Sequence, residues 1–102
     1  MHKEYTLHSS DLGLPQSHPL HDHLFILKQY KARPMERKER WGLSPDDPPA
    51  MLLMLRHRNE SPTPYGMEIP VADEHSFIHM WNVFSRCQPT EVLKGFGMEG
   101  MA

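Results

Sequence analysis

The sequence has a single cysteine, Cys87, in its 102 residues, so no disulfide can form within the chain. It also lacks an apolar run near the roughly 18 residues that a membrane-spanning helix needs. The N-terminal residues Met1 to Tyr5 include an acid and no apolar stretch, which excludes the pattern of a secretion signal. We therefore expect a protein of the cytoplasm or another reducing compartment, without a membrane span.

A strong net charge is also lacking, since the chain carries −2 with neutral histidines. No overall field therefore attracts nucleic acid or a membrane surface. Residues 28–40 are a local exception, with six basic and two acidic side chains. Few aromatic residues are interleaved with them, which argues against RNA stacking. A solvated helix with mixed charges is the default interpretation, and contact with an acidic partner or a phosphate is the alternative. The basic residues predicted to bind that partner are Lys31, Arg33, Arg37, Lys38 and Arg40.

Proline, methionine and histidine are abundant, with ten, eight and eight residues. Ten prolines divide a chain of this length into short elements, and 102 residues form one domain with a modest core. We predict an α+β protein with an irregular, extended N-terminal arm over residues 1–22. A single small domain follows over residues 23–96, and a flexible tail over residues 97–102.

One main strand is predicted over residues 23–31, because four consecutive apolar residues precede an alternating segment. A strand needs a hydrogen-bonding partner on at least one edge. Within the chain, the best candidate is the short segment 66–71. A partner protein could also supply the second strand.

Three to four short helices are predicted. Residues 34–41 begin with a proline at the first turn and stop at a glycine. Residues 50–55 are rich in Met and Leu, which favours a helix because neither side chain is β-branched. Residues 73–86 form the clearest helix and residues 90–94 a short final one. In residues 73–86 the helical period places four apolar side chains on one face, namely Phe77, Met80, Trp81 and Phe84.

Two groups of histidines are candidate metal ligands. His18, His21 and His23 lie within six residues, and neutral imidazole is a common ligand for zinc, copper, nickel and iron. His75 and His79 are four residues apart, so they share a helix face. Neither group matches the spacing of a known metal-hydrolase motif, and the alternative for both is a solvated polar surface.

No catalytic motif stands out. Cys87 lies near the end of a helix, where the dipole disfavours a thiolate. The first hypothesis is therefore a small non-enzymatic accessory or structural subunit that docks on a larger protein assembly or self-associates. The apolar residues Phe96 and Met98 near the C-terminus are further candidates for that contact.

Two alternatives from other classes remain. One is a histidine-ligated protein or small metalloenzyme that holds a divalent metal such as zinc, iron, copper or nickel. The other is a ferredoxin-like dimer that binds a small aromatic molecule next to Trp81, which rests only on analogy of fold.

Overall fold

The computed structural model describes residues 3–29, 51–71 and 74–101. Its regular elements are β1 (Glu4–His8), β2 (His23–Gln29), β3 (Met51–His57), β4 (Met67–Val71), α1 (Glu74–Arg86) and α2 (Pro89–Gly95). Short 3-10 turns at Ser9–Leu12 and Glu99–Met101 follow β1 and α2. The predicted helix over residues 34–41 lies outside the described residues. The described part of the chain is a small α+β domain, in agreement with the predicted class.

The four strands form one antiparallel sheet in the order β1-β2-β3-β4. Each strand pairs with its successor, and one row across the sheet consists of Tyr5, Leu27, Leu53 and Ile69. A ferredoxin-like fold instead combines split β-α-β units. Within the described residues each strand pairs with the next one in the chain, and the ferredoxin-like alternative stays a prediction.

The main predicted strand is confirmed as β2, and the segment 66–71 is confirmed as β4. The two do not pair with each other, because β3 lies between them. The predicted helix over residues 50–55 is wrong, since β3 begins at Met51. β3 is hydrogen-bonded on both edges, and Leu52 and Leu53, which alternate between the two faces, are each 3 % exposed. Sheet pairing and burial outweigh the weak helix preference of Leu and Met.

The strand β1 was missed, because residues 1–22 were expected to be irregular. Its sequence alternates polar and apolar side chains, and Leu7 is 4 % exposed against Phe25 of β2. Alternation of this kind is typical of a strand with one buried face. The segment that was predicted to be an arm therefore contains an edge strand of the sheet.

The two helices cover one face of the sheet and form the core with it. The predicted helices over residues 73–86 and 90–94 are confirmed as α1 and α2. The apolar face of α1 is oriented as predicted, with Met80 and Phe84 buried and His75 and His79 exposed. α2 begins with Pro89 at its first position, where the missing amide hydrogen costs no hydrogen bond.

The segment after α2 packs against this core. Phe96 is 4 % exposed, and its ring centroid lies 5.6 Å from that of Phe25. The ring therefore fills the core, and the role of Phe96 in partner binding stays a prediction. Met98 is partly buried against the same core, and its role in partner binding stays a prediction. The flexibility predicted for residues 97–102 also stays a prediction, although Glu99–Met101 forms a 3-10 turn.

No helix in the described part of the chain is long and apolar enough to cross a membrane.

Candidate functional site

The three N-terminal histidines do not converge. His18 donates from Nε2 to the carbonyl oxygen of Met101 and accepts the amide hydrogen of Leu20 at Nδ1. His23 is 4 % exposed and donates from Nδ1 to the carbonyl oxygen of His21 at 2.8 Å. The ring nitrogens of His18 and His23 thus serve hydrogen bonds within the chain, while the side chain of His21 is exposed.

His75 and His79 lie on the exposed face of α1. Among residues 3–29, 51–71 and 74–101, no group of three or more His, Cys, Asp or Glu side chains is arranged to hold a metal ion. Metal binding by the histidines therefore stays a prediction. The predicted partner-binding residues Lys31, Arg33, Arg37, Lys38 and Arg40 lie outside the described residues.

A polar cluster occurs where β1 ends and β2 begins, and we call His8, Asp22, His57 and Arg58 the Asp22 cluster. His8 donates from Nε2 to Oδ1 of Asp22 at 2.9 Å. Arg58 brings Nε to 2.8 Å from the same oxygen, and its Nη2 lies 3.4 Å from Oδ2. His57 adds Nε2 at 3.8 Å from Oδ2. One carboxylate therefore faces three basic side chains from two different strand ends.

The backbone fixes Asp22 in this position. Its φ angle is 59°, in the left-handed region that Asp tolerates better than most residues. The amide of Arg58 donates to the carbonyl oxygen of Asp22 at 2.9 Å. The turn before β2 is thus tied to the residue after β3 by both backbone and side chain.

The surroundings lower the pKa of Asp22 below its ordinary value of 3.8. The hydrogen bond from His8 contributes most, and partial burial acts in the opposite direction. The hydrogen bond and charge of Arg58 and the charge of His57 lower the pKa further. Asp22 is therefore ionised at neutral pH, and its negative charge faces three basic side chains.

Next to the Asp22 cluster is an open cavity of about 300 Å³. Its lining includes His8, Ser10, Leu14, Gln16, His21, Asp22 and Arg58. The hydroxyl of Ser10 lies 2.8 Å from Nδ1 of His8, on the side of the ring opposite to Asp22. Two consecutive hydrogen bonds therefore connect Ser10 to His8 and His8 to Asp22 at the cavity.

Neither Ser10 nor His8 was selected as a candidate from the sequence. The spacing of His8 and Ser10 carries no specific signal, since His8 also caps the 3-10 turn that begins at Ser9. Asp22 is 14 residues from His8, and only the pairing of His8 with Leu24 in the sheet brings the two together. Among the residues that line the cavity, His21 was predicted to be functional, as a candidate metal ligand.

A second concave surface, which we call the α1 groove, lies at the other end of β1. It is lined by Lys3, Phe77, Ile78, Trp81 and Asn82 and has a volume of about 200 Å³. Ile78 is 60 % exposed, and no other large apolar side chain in the described residues is as open to solvent. Trp81 is held edge-on against Tyr5, with ring centroids 5.1 Å apart.

Comparisons of the chain with protein families, with curated proteins and with solved structures give no match.

Proposed function

We propose that this protein is an accessory or structural subunit that docks on a larger protein assembly through the α1 groove. The observation that carries the proposal is Ile78, which is 60 % exposed and lines the groove together with the half-buried Phe77 and Trp81. Aromatic side chains with a neighbouring aliphatic residue are the usual anchors of protein interfaces.

The lining residues of the α1 groove indicate what kind of protein segment would bind there. Three of the five lining residues, Phe77, Ile78 and Trp81, are apolar. The other two are Asn82 and the exposed, basic Lys3. Among the described residues, no carboxylate forms an ion pair with Lys3. The matching partner is a protein segment with an apolar side chain for the groove and a carboxylate for Lys3.

The walls of the groove are held in place before binding. Trp81 contacts the rings of Tyr5 and Phe77, with centroids at 5.1 and 5.8 Å. Side chains that are already ordered lose little conformational entropy when a partner binds. Burying the exposed part of Ile78 would contribute about 1–2 kcal/mol, which corresponds to roughly a 5- to 30-fold gain in affinity.

The proposal is tested by placing a photo-crosslinking amino acid at position 78 of the full chain in its native cells. We expect one reproducible crosslinked protein, which is then purified and titrated against the unlabelled chain. Ile78→Glu should weaken this binding at least tenfold, because a charge would enter an apolar contact. The matched control is His79→Glu, which adds the same side chain to an exposed position one residue away and should change the affinity less than twofold.

Equal weakening by Ile78→Glu and His79→Glu would contradict the proposal. Sedimentation velocity of the purified chain separates docking on another protein from self-association. A dimer that is lost in Ile78→Glu would make a second copy of this chain the occupant of the groove. A monomer without crosslinks at position 78 would remove the groove as a docking surface.

A further inference from the structure

We propose that Ser10 is an acyl-accepting nucleophile, with His8 as its general base and Asp22 as the residue that positions His8, and that the adjacent cavity binds a small carboxylic ester. The site lies at the opposite end of β1 from the α1 groove, roughly 17 Å away for five residues of extended strand. The inference does not rest on the proposed docking function.

The hydrogen bonds determine which nitrogen of His8 carries its proton. The backbone amide of Ser10 lies 3.0 Å from Nδ1, and an amide hydrogen can only be donated. Nδ1 is therefore the unprotonated nitrogen, and Nε2 carries the hydrogen that is donated to Asp22 at 2.9 Å. The hydroxyl of Ser10, 2.8 Å from Nδ1, must in turn donate to it.

This tautomer is the one that a general base requires. The electron pair on Nδ1 of His8 accepts the hydrogens of both the serine hydroxyl and the Ser10 amide. The carboxylate lies on the far side of the ring, where a positive charge would be stabilised. Asp22 is itself held by Arg58 at 2.8 Å and by the backbone bond from the Arg58 amide. The base is thus oriented by a group whose own position is fixed.

The cavity gives the nucleophile access to a substrate. Ser10 is exposed and lines the cavity, whereas its neighbour Ser9 is only 2 % exposed. Leu14 offers an apolar wall and Gln16 a polar one. A volume of about 300 Å³ is at the lower end of the range for small-molecule sites, which suits a short acyl group.

In the proposed reaction, Ser10 Oγ attacks the carbonyl carbon of the ester while its proton moves to Nδ1 of His8. The bond to the leaving alkoxide then breaks, and the alkoxide takes that proton from His8. Water attacks the resulting acyl-serine with His8 again as base. The products are a carboxylic acid and an alcohol, and the serine is restored, so no further reactant is needed.

The first test is labelling of the purified full chain with an alkyl fluorophosphonate, which forms a phosphorus–oxygen bond to an activated serine and releases fluoride. We expect one label per chain, mapped by peptide mass spectrometry to Ser10, and hydrolysis of p-nitrophenyl acetate. Ser10→Ala should abolish both. We expect this variant to keep its fold, because Nδ1 of His8 still accepts the backbone amide hydrogen of residue 10. Ser85→Ala is the control, since Ser85 donates to the carbonyl of Trp81 and has no adjacent base.

The contribution of Asp22 has a separate readout. General-base catalysis contributes about 10²–10⁴-fold, so Asp22→Asn should slow labelling at least tenfold. The pH profile of labelling should change as well, because residue 22 no longer places a negative charge beside Nε2 of His8. Absence of label at Ser10, under conditions that label a known serine esterase, would overturn the proposal. An unchanged rate and pH profile in folded Asp22→Asn would remove Asp22 from it.

Discussion

Nε2 of His8 and Oδ1 of Asp22 lie 2.9 Å apart, although the two residues are separated by 14 positions in the chain. The contact joins the end of β1 to the turn that precedes β2. Because Arg58 reaches the same carboxylate from the end of β3, Asp22 links three consecutive strands of the sheet.

Asp22→Asn is expected to lower the free energy of unfolding in a pH-dependent way. The folded-state pKa of Asp22 is below its ordinary value of 3.8, so its stabilisation is fully present well above pH 3.8. It is lost as the pH falls through the lower, folded-state pKa. Asn tolerates a φ of 59° about as well as Asp, so the backbone is unaffected. Urea denaturation between pH 3 and pH 6 measures the difference, and a difference that stays constant over this range would contradict an ionised Asp22.

Thr63→Val tests the buried imidazole of His23. Nδ1 of His23 donates to a carbonyl, so Nε2 accepts the hydroxyl hydrogen of Thr63 at 2.8 Å. Val has nearly the shape of Thr but no hydroxyl, and an unsatisfied buried acceptor costs about 1–3 kcal/mol. Thr63→Ser keeps the hydroxyl and should lose less. Equal destabilisation of the two variants, measured by denaturation at neutral pH, would show that the methyl group matters more than the hydrogen bond.

Phe84→Ala and Ile78→Ala test the orientation of α1. Phe84 is completely buried, and its removal is expected to cost about 3–5 kcal/mol. Ile78 is 60 % exposed, so its truncation should change the stability by no more than about 0.5 kcal/mol. Thermal or urea unfolding of both variants gives the comparison. Similar losses would mean that the helix presents a different face to the sheet.

The fold could be predicted where the pattern of side chains has one interpretation. The apolar face of α1 follows from the helical spacing of Met80 and Phe84, and β2 from an apolar run that continues into an alternating segment. The residues of β3 form an equally apolar run, and such a run is compatible with a buried helix or a central strand. β3 forms a strand because it pairs with β2 and β4. These pairings depend on residues distant in the sequence and cannot be predicted from the segment itself.

The polar site could not be predicted for a related reason. Single histidines, serines and aspartates are common, and their chemistry depends on distances of about 3 Å. His18 and His23 were candidates because they are close in the sequence. In the structure their ring nitrogens form hydrogen bonds with the backbone and with the hydroxyl of Thr63. His8 carries no such local signal, and its partner Asp22 meets it only through the register of β1 and β2.

Pro70 makes the two edges of the described sheet unequal. It lies in β4, an outer strand of the four, and has no amide hydrogen to offer. Pro70 is the fourth of the five residues of β4, so a strand from a neighbouring molecule has at most four amide donors to meet there. Addition of such a strand is therefore less favourable at β4, and replacing Pro70 by a residue with an amide hydrogen should make it more favourable.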